Sequence, residues 1–213
     1  MIPVIAGAAL TAASFVGLVV ADRLHSKAAV WIAKPLASAG FVGAAIAGGA
    51  ASHPPGQAIL VALLLSFAGD VLLIPRTRKL FLAGLGSFLL GHLAYAVAFL
   101  IRGVDPVYSA AALAVLLPLG WWVSRWLRPH LPQGMVIPVH AYIAVITAMV
   151  ACAAGGLRTE GGPLMFVAAV AFFLSDLAVA RDRFVRPGLI NRALGLPFYY
   201  GAQLLFAYAA SAP

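Results

Sequence analysis

The chain has 213 residues, 63% of them hydrophobic and 9% charged, and its mean hydropathy is +1.02. These values exclude an ordinary soluble domain and indicate one integral membrane domain across residues 1–213. The formal charge of +8 does not signal nucleic acid, because the basic residues stand singly or in threes in short breaks between apolar runs.

The fold class predicted is all-α, a polytopic membrane bundle of about eight transmembrane helices. They fall at about 3–21, 28–48, 57–74, 80–101, 107–124, 136–155, 162–180 and 189–210, each near the twenty residues needed to cross hydrocarbon. The first run starts at Ile2 with no Lys or Arg before it. It therefore lacks the basic segment of a signal peptide and is expected to be retained as a helix. In the second run Lys34 precedes Pro35 within WIAKPLASAG. Lys34 either snorkels to the interface, pairs with an Asp, or captures a phosphate.

The third run, ILVALLLSFAGDVLLI, carries Asp70 after Gly69, with Ser66 one turn earlier on the same face. An ionised carboxylate in hydrocarbon costs at least ~2.5 kcal/mol, so such a residue faces protein and marks a functional-site candidate. The plain alternative is a hydrogen bond or ion pair that joins helices. The fourth run, FLLGHLAYAVAF, places His92 and Tyr95 on one face, while Ser87 and Gly91 permit close helix packing. A lone His of this kind is otherwise a satisfied core residue.

Pro118 interrupts the fifth run, and Trp121, Trp122 and Trp126 suggest an interfacial belt at its end. The sixth run contains His140 shortly after Pro138, and the lone Cys152, which has no internal disulfide partner and reads as packing. The seventh run, LMFVAAVAFFLSDLAVA, carries Asp176 after Ser175. In the eighth, LPFYYGAQLLFA sets Tyr199 and Tyr200 within a turn of Gln203. Tyrosines also serve as belt residues, but the four hydrogen-bonding sites of a Gln need partners in hydrocarbon.

Ten basic residues fall in the odd-numbered loops (Arg23, Lys27, Arg76, Arg78, Lys79, Arg125, Arg128, Arg181, Arg183, Arg186) and two, Arg102 and Arg158, in the even-numbered ones. The positive-inside bias puts the odd loops in the cytoplasm and both termini outside, in the cell's inner (plasma) membrane. Lys34, Asp70, His140 and Asp176 then fall in the cytoplasmic half, with His92, Tyr95, Tyr199, Tyr200 and Gln203 deeper. Pro35, Pro138 and Pro197 break helices beside this set, which is tolerated where the backbone faces protein or a wet cavity. The expectation is one shared, partly wet chamber toward the cytoplasmic leaflet. In it the two acids would be close enough that one holds a proton.

Lys34 precedes Asp70 by 36 positions and His140 precedes Asp176 by the same 36, an offset of 106 at which VALLLSFAGD overlays VAAVAFFLSD. This hints at two parallel four-helix units. The chain has no HExxH, GxSxG, P-loop or cysteine pair, and a three-histidine zinc site cannot be assembled from His92 and His140, so no cofactor or metal is expected.

The stretches AKPL at 33–36, SFAGDVLLI at 66–74, FLAGLGSFLLGHLAYAVAFL at 81–100, FFLSDLAVARDRF at 172–184 and PFYYGAQLLFA at 197–207 resemble the YhhN family of membrane proteins. The series GD, GHxxY, SD and YYxxQ is specific as a set, while residues from about 105 to 160 carry no recognisable signature and leave His140 unsupported. The resemblance implies a lysoplasmalogenase, a hydrolase of the vinyl ether bond of a lysophospholipid, releasing a fatty aldehyde and a glycerophospho-base. That chemistry protonates carbon to an oxocarbenium ion and needs a positioned acid, a water and a nearby negative charge. One of Asp70 and Asp176 would be the acid and the other the charge. His92 would assist; Ser66, Tyr95, Tyr199, Tyr200 and Gln203 would bind substrate and water, and Lys34 the phosphate. Buried Asp and His on parallel repeats would equally suit a proton-coupled transporter, or a scaffold whose polar groups only join helices.

Overall fold

A computed structural model describes residues 2–75 and 77–210. Its eight helices are α1 (Ile2–Arg23), α2 (Lys27–Ala47), α3 (Pro54–Leu72), α4 (Arg78–Arg102), α5 (Pro106–Leu127), α6 (Val136–Gly155), α7 (Gly162–Ala180) and α8 (Leu189–Ala209). Arg76, counted above toward the charge bias, lies outside the described residues.

Local chemistry sets the helix starts. The side chains of Ser26, Thr77 and Asp105 accept from the backbone N–H groups of Ala29, Leu80 and Val107, so α2, α4 and α5 begin on conventional caps. Helix α3 starts a turn before the expected position because Pro54 and Pro55 fit its first turn, where their missing N–H is no loss. His53 caps it: Nδ1 accepts from Gly56 N–H at 3.1 Å, and Nε2 donates to the Ala210 carbonyl at 3.0 Å, tying the start of α3 to the end of α8.

Helices α1 to α7 are each long and apolar enough to cross a membrane. The eighth predicted span differs. Helix α8 has the length, at 21 residues, but carries Asn191, Arg192, Tyr199, Tyr200 and Gln203. It turns Asn191, both tyrosines and the glutamine into the bundle, so its polarity faces protein.

The helices form four antiparallel hairpins, α1–α2, α3–α4, α5–α6 and α7–α8, with α2 against α3 and α6 against α7. Across the halves, α2 packs on α8 and α6 packs on α4. Advancing every label by four maps each of these pairings onto another, whereas the packing of α8 on α1 and α3 has no such counterpart among the described residues. Close approach relies on small residues: a methyl group at Gly7 would stand 2.7 Å from the Gly40 carbonyl oxygen, and Thr11 Oγ1 donates to the Ala37 carbonyl at 2.9 Å. At the end bearing the basic turns, a π-turn at Arg181–Val185 follows α7, and Arg192 of α8 pairs with Asp22 of α1 and Asp182 of the turn.

The main core is aromatic: Phe41, Phe88, Tyr95, Phe172, Tyr199 and Phe206 are buried where α2, α3, α4, α7 and α8 converge. This core surrounds and separates the polar groups.

Candidate active site

Asp70 sits near the end of α3, and its side chain is 3% exposed. Lys34 Nζ lies 3.1 Å from Oδ1 and donates to the Asp70 carbonyl at 3.0 Å. Ser38 Oγ and Tyr199 OH both donate to Oδ2, at 2.7 and 2.6 Å. The carboxylate thus has a cation and two hydroxyl donors from α2 and α8, an arrangement that satisfies a charge buried in low dielectric. Of the three roles open to Lys34 in the sequence, the geometry is that of the ion pair.

Asp176 sits near the end of α7 and is more accessible, at 19% side-chain exposure. Tyr142 OH of α6 donates to Oδ2 at 2.9 Å, and His92 Nε2 of α4 faces the same oxygen at 3.3 Å. His92 Nδ1 lies 2.6 Å from the Phe88 carbonyl, which accepts only, so Nδ1 carries the hydrogen. Nε2 makes no hydrogen bond among the described residues, so its approach to Asp176 is one of ion-pair distance only.

The two centres correspond under the four-helix shift. Each acid lies on the third helix of its unit and is met by the second helix of that unit and the last helix of the other. The partners differ: Tyr142 takes the place expected of His140, and His92 the place held by Tyr199. His140 instead donates to the Val136 carbonyl and lines an open groove of about 450 Å³ with Arg128, Val136, Ile137 and Ala141.

The expected single chamber is not what the helices build. Among the described residues no hydrogen bond or ion pair links the Asp70 set to the Asp176 set. The Phe172 ring packs 4.4 Å from His92 and 5.5 Å from Tyr199, and Phe88 packs on both Phe172 and Tyr199. An aromatic layer therefore separates two polar centres, because the large residues of α4 and α7 fill the space between helices that the sequence left open.

Deeper in the bundle, Tyr95 OH donates to Gln203 Oε1 at 2.5 Å. Among the described residues Gln203 Nε2 is buried without a hydrogen-bond partner, and Ser66 and Tyr200 are buried beside it. Ser38 and Tyr142 were missed from the sequence. Ser38 is one helical turn from Lys34 and so shares its face, a usable signal. Tyr142 lies in the stretch without signature and had none. Among the described residues no three His, Cys, Asp or Glu side chains are grouped to hold a metal ion.

Residues 29–210 match the YhhN family model. The chain belongs to the YhhN family. This YhhN chain is 32% identical over 165 residues to lysoplasmalogenase TMEM86A of Bos taurus, covering 75% of the chain and 67% of that relative. It is 36% identical over 165 residues to a lysoplasmalogenase of Mycobacterium tuberculosis (strain CDC 1551 / Oshkosh), covering 73% of the chain and 60% of that relative. Human lysoplasmalogenase TMEM86B is 34% identical over 156 residues, or 72% and 63% of the two chains. The YhhN chain thus spans about 60–67% of the length of these relatives. No solved structure matches it.

Proposed function

We propose that this YhhN protein is a membrane-embedded hydrolase that cleaves the vinyl ether bond of a lysoplasmalogen or a related lysolipid by carboxyl general acid–base catalysis. The observation that carries the reading is the pair of polar centres around Asp70 and Asp176, set in an apolar bundle whose curated relatives are named lysoplasmalogenases. Seven apolar helices support a multi-pass membrane protein, and the charge bias supports an inner-membrane setting with the site toward the cytoplasmic leaflet.

The chemistry starts when a carboxyl donates its proton to the vinyl carbon remote from oxygen. The C=C electrons form the new C–H bond, and the ether oxygen shares its lone pair to give an oxocarbenium ion. A carboxylate in low dielectric stabilises that cation. Water adds to the cationic carbon and loses a proton to a base in the site. The hemiacetal then breaks its bond to the glycerol oxygen, which takes the proton, and the fatty aldehyde leaves. Ser66, Tyr95, Tyr199, Tyr200 and Gln203 are the polar side chains at the depth where substrate and water oxygens would be held.

The test is aldehyde release from lysoplasmalogen by detergent-purified wild type, Asp70→Asn and Asp176→Asn. Wild-type release with a loss of about 10²-fold or more in both variants is expected. A folded wild type that releases no aldehyde removes this substrate. Uptake without product would instead favour a transporter.

A further inference from the structure

The two acids are architectural equivalents with unlike counter-cations. Asp70 faces the Lys34 ammonium, a donor with no acceptor site. Asp176 faces an imidazole nitrogen, which is a donor or an acceptor according to whether it carries a hydrogen. His92 presents Nε2 to Asp176, because its Nδ1–H is committed to the Phe88 carbonyl. A bare Nε2 and an ionised carboxylate are both acceptors, so at 3.3 Å they would set lone pair against lone pair and leave a net negative charge among Phe172, Tyr142 and the apolar α7 face. One proton between them removes both penalties.

We infer that the reacting proton resides on the Asp176–His92 pair, positioned by Tyr142, and that Asp70 is the permanently ionised partner. This rests on the hydrolase reading above and assigns its proton-donor role to named residues. The difference in exposure agrees: Asp176 is reachable at 19%, whereas Asp70 is sealed at 3% by Lys34, Ser38 and Tyr199. The titratable groups around the pair are Tyr142 from α6, Tyr95 on the same helix as His92, and Tyr199 of α8 across the Phe172 ring. Among the described residues His92 is the basic side chain at ion-pair distance from Asp176.

In the reaction the O–H or N–H bond of the pair breaks as the C–H bond forms, and the pair is left with one negative charge beside the new oxocarbenium ion. The attacking water then returns one proton to the pair, which ends the cycle as it began. Donor, counter-charge and base thus occupy one centre, and Asp70 stands as a separate centre whose charge Lys34 balances. Tyr142 acts through Asp176 as a positioning residue.

The resting protein in detergent tests this without substrate. Infrared spectra near neutral pH, with deuterium exchange, read protonated carboxyls, and ¹⁵N-histidine NMR, assigned with His92→Gln, reads the imidazole. The expected wild-type result is either a protonated-carboxyl band or a doubly protonated His92 ring that Asp176→Asn abolishes and Asp70→Asn retains. A neutral His92 with bare Nε2 and no such band, or a band abolished by Asp70→Asn instead, overturns the assignment. Tyr142→Phe, which keeps the ring against His92, should shift the same signal and lower kcat about tenfold with KM unchanged. An unaltered signal and kcat would remove Tyr142 from this role. If wild type releases no aldehyde but the Asp176-dependent signal is present, the lysolipid reading fails and the proton assignment stands.

Discussion

Asp70 and Lys34 show how a buried charge is made tolerable. The pair is worth little by its attraction alone, since desolvating both ions offsets much of the Coulomb gain, and the extra donors from Ser38 and Tyr199 make the arrangement favourable. Removing one partner is therefore far worse than removing both. Lys34→Met leaves an uncompensated carboxylate and should lower stability by about 3–5 kcal/mol. Lys34→Met/Asp70→Leu should recover most of that loss in thermal unfolding while remaining inactive in aldehyde release. Unfolding at equal temperatures for the single and double variants would contradict this account of the centre.

At the scale of elements, helix pairing depends on what is absent from the side chains. In hydrocarbon there is no hydrophobic force between helices, so α1 and α2 are held by close van der Waals contact at Gly7 and Gly40 and by the Thr11–Ala37 hydrogen bond. A methyl group at Gly40 would meet Thr11 Oγ1 and, at 2.7 Å, the Gly7 carbonyl. Gly40→Ala should therefore separate the helices and cost about 1–3 kcal/mol in thermal or denaturant unfolding. Gly43 of the same helix has nothing near its Cβ direction, so Gly43→Ala should be nearly silent. Equal effects at the two positions would show that the contact does not carry the pairing. The same packing logic explains why Tyr142 replaced His140 at the Asp176 centre: of two polar residues close together on α6, one faces α7 and the other faces the outer groove.

For the whole molecule, the basic turns fix an orientation that can be measured. In a Cys152→Ser background, His130→Cys lies in the fifth turn and Ala51→Cys in the second, both at exposed positions. A membrane-impermeant maleimide applied to intact cells should label the cysteine at 51 at once and that at 130 only after permeabilisation. The reverse pattern would place the carboxyl centres near the outer leaflet.

Length and composition by themselves determined eight helices, their approximate limits and the uneven distribution of positive charge, because a bilayer demands long apolar runs and caps announce themselves locally. The polar residues of the site were also legible, since Asp, His and Gln are expensive in hydrocarbon wherever they point. Which of them meet was settled by tertiary structure alone. Phe88 and Phe172 read as ordinary apolar residues in the sequence, yet their rings divide one expected chamber into two centres. A side chain's depth follows from its position along a helix, but its partners depend on the rotation of that helix against its neighbours, which many interdigitating contacts fix together.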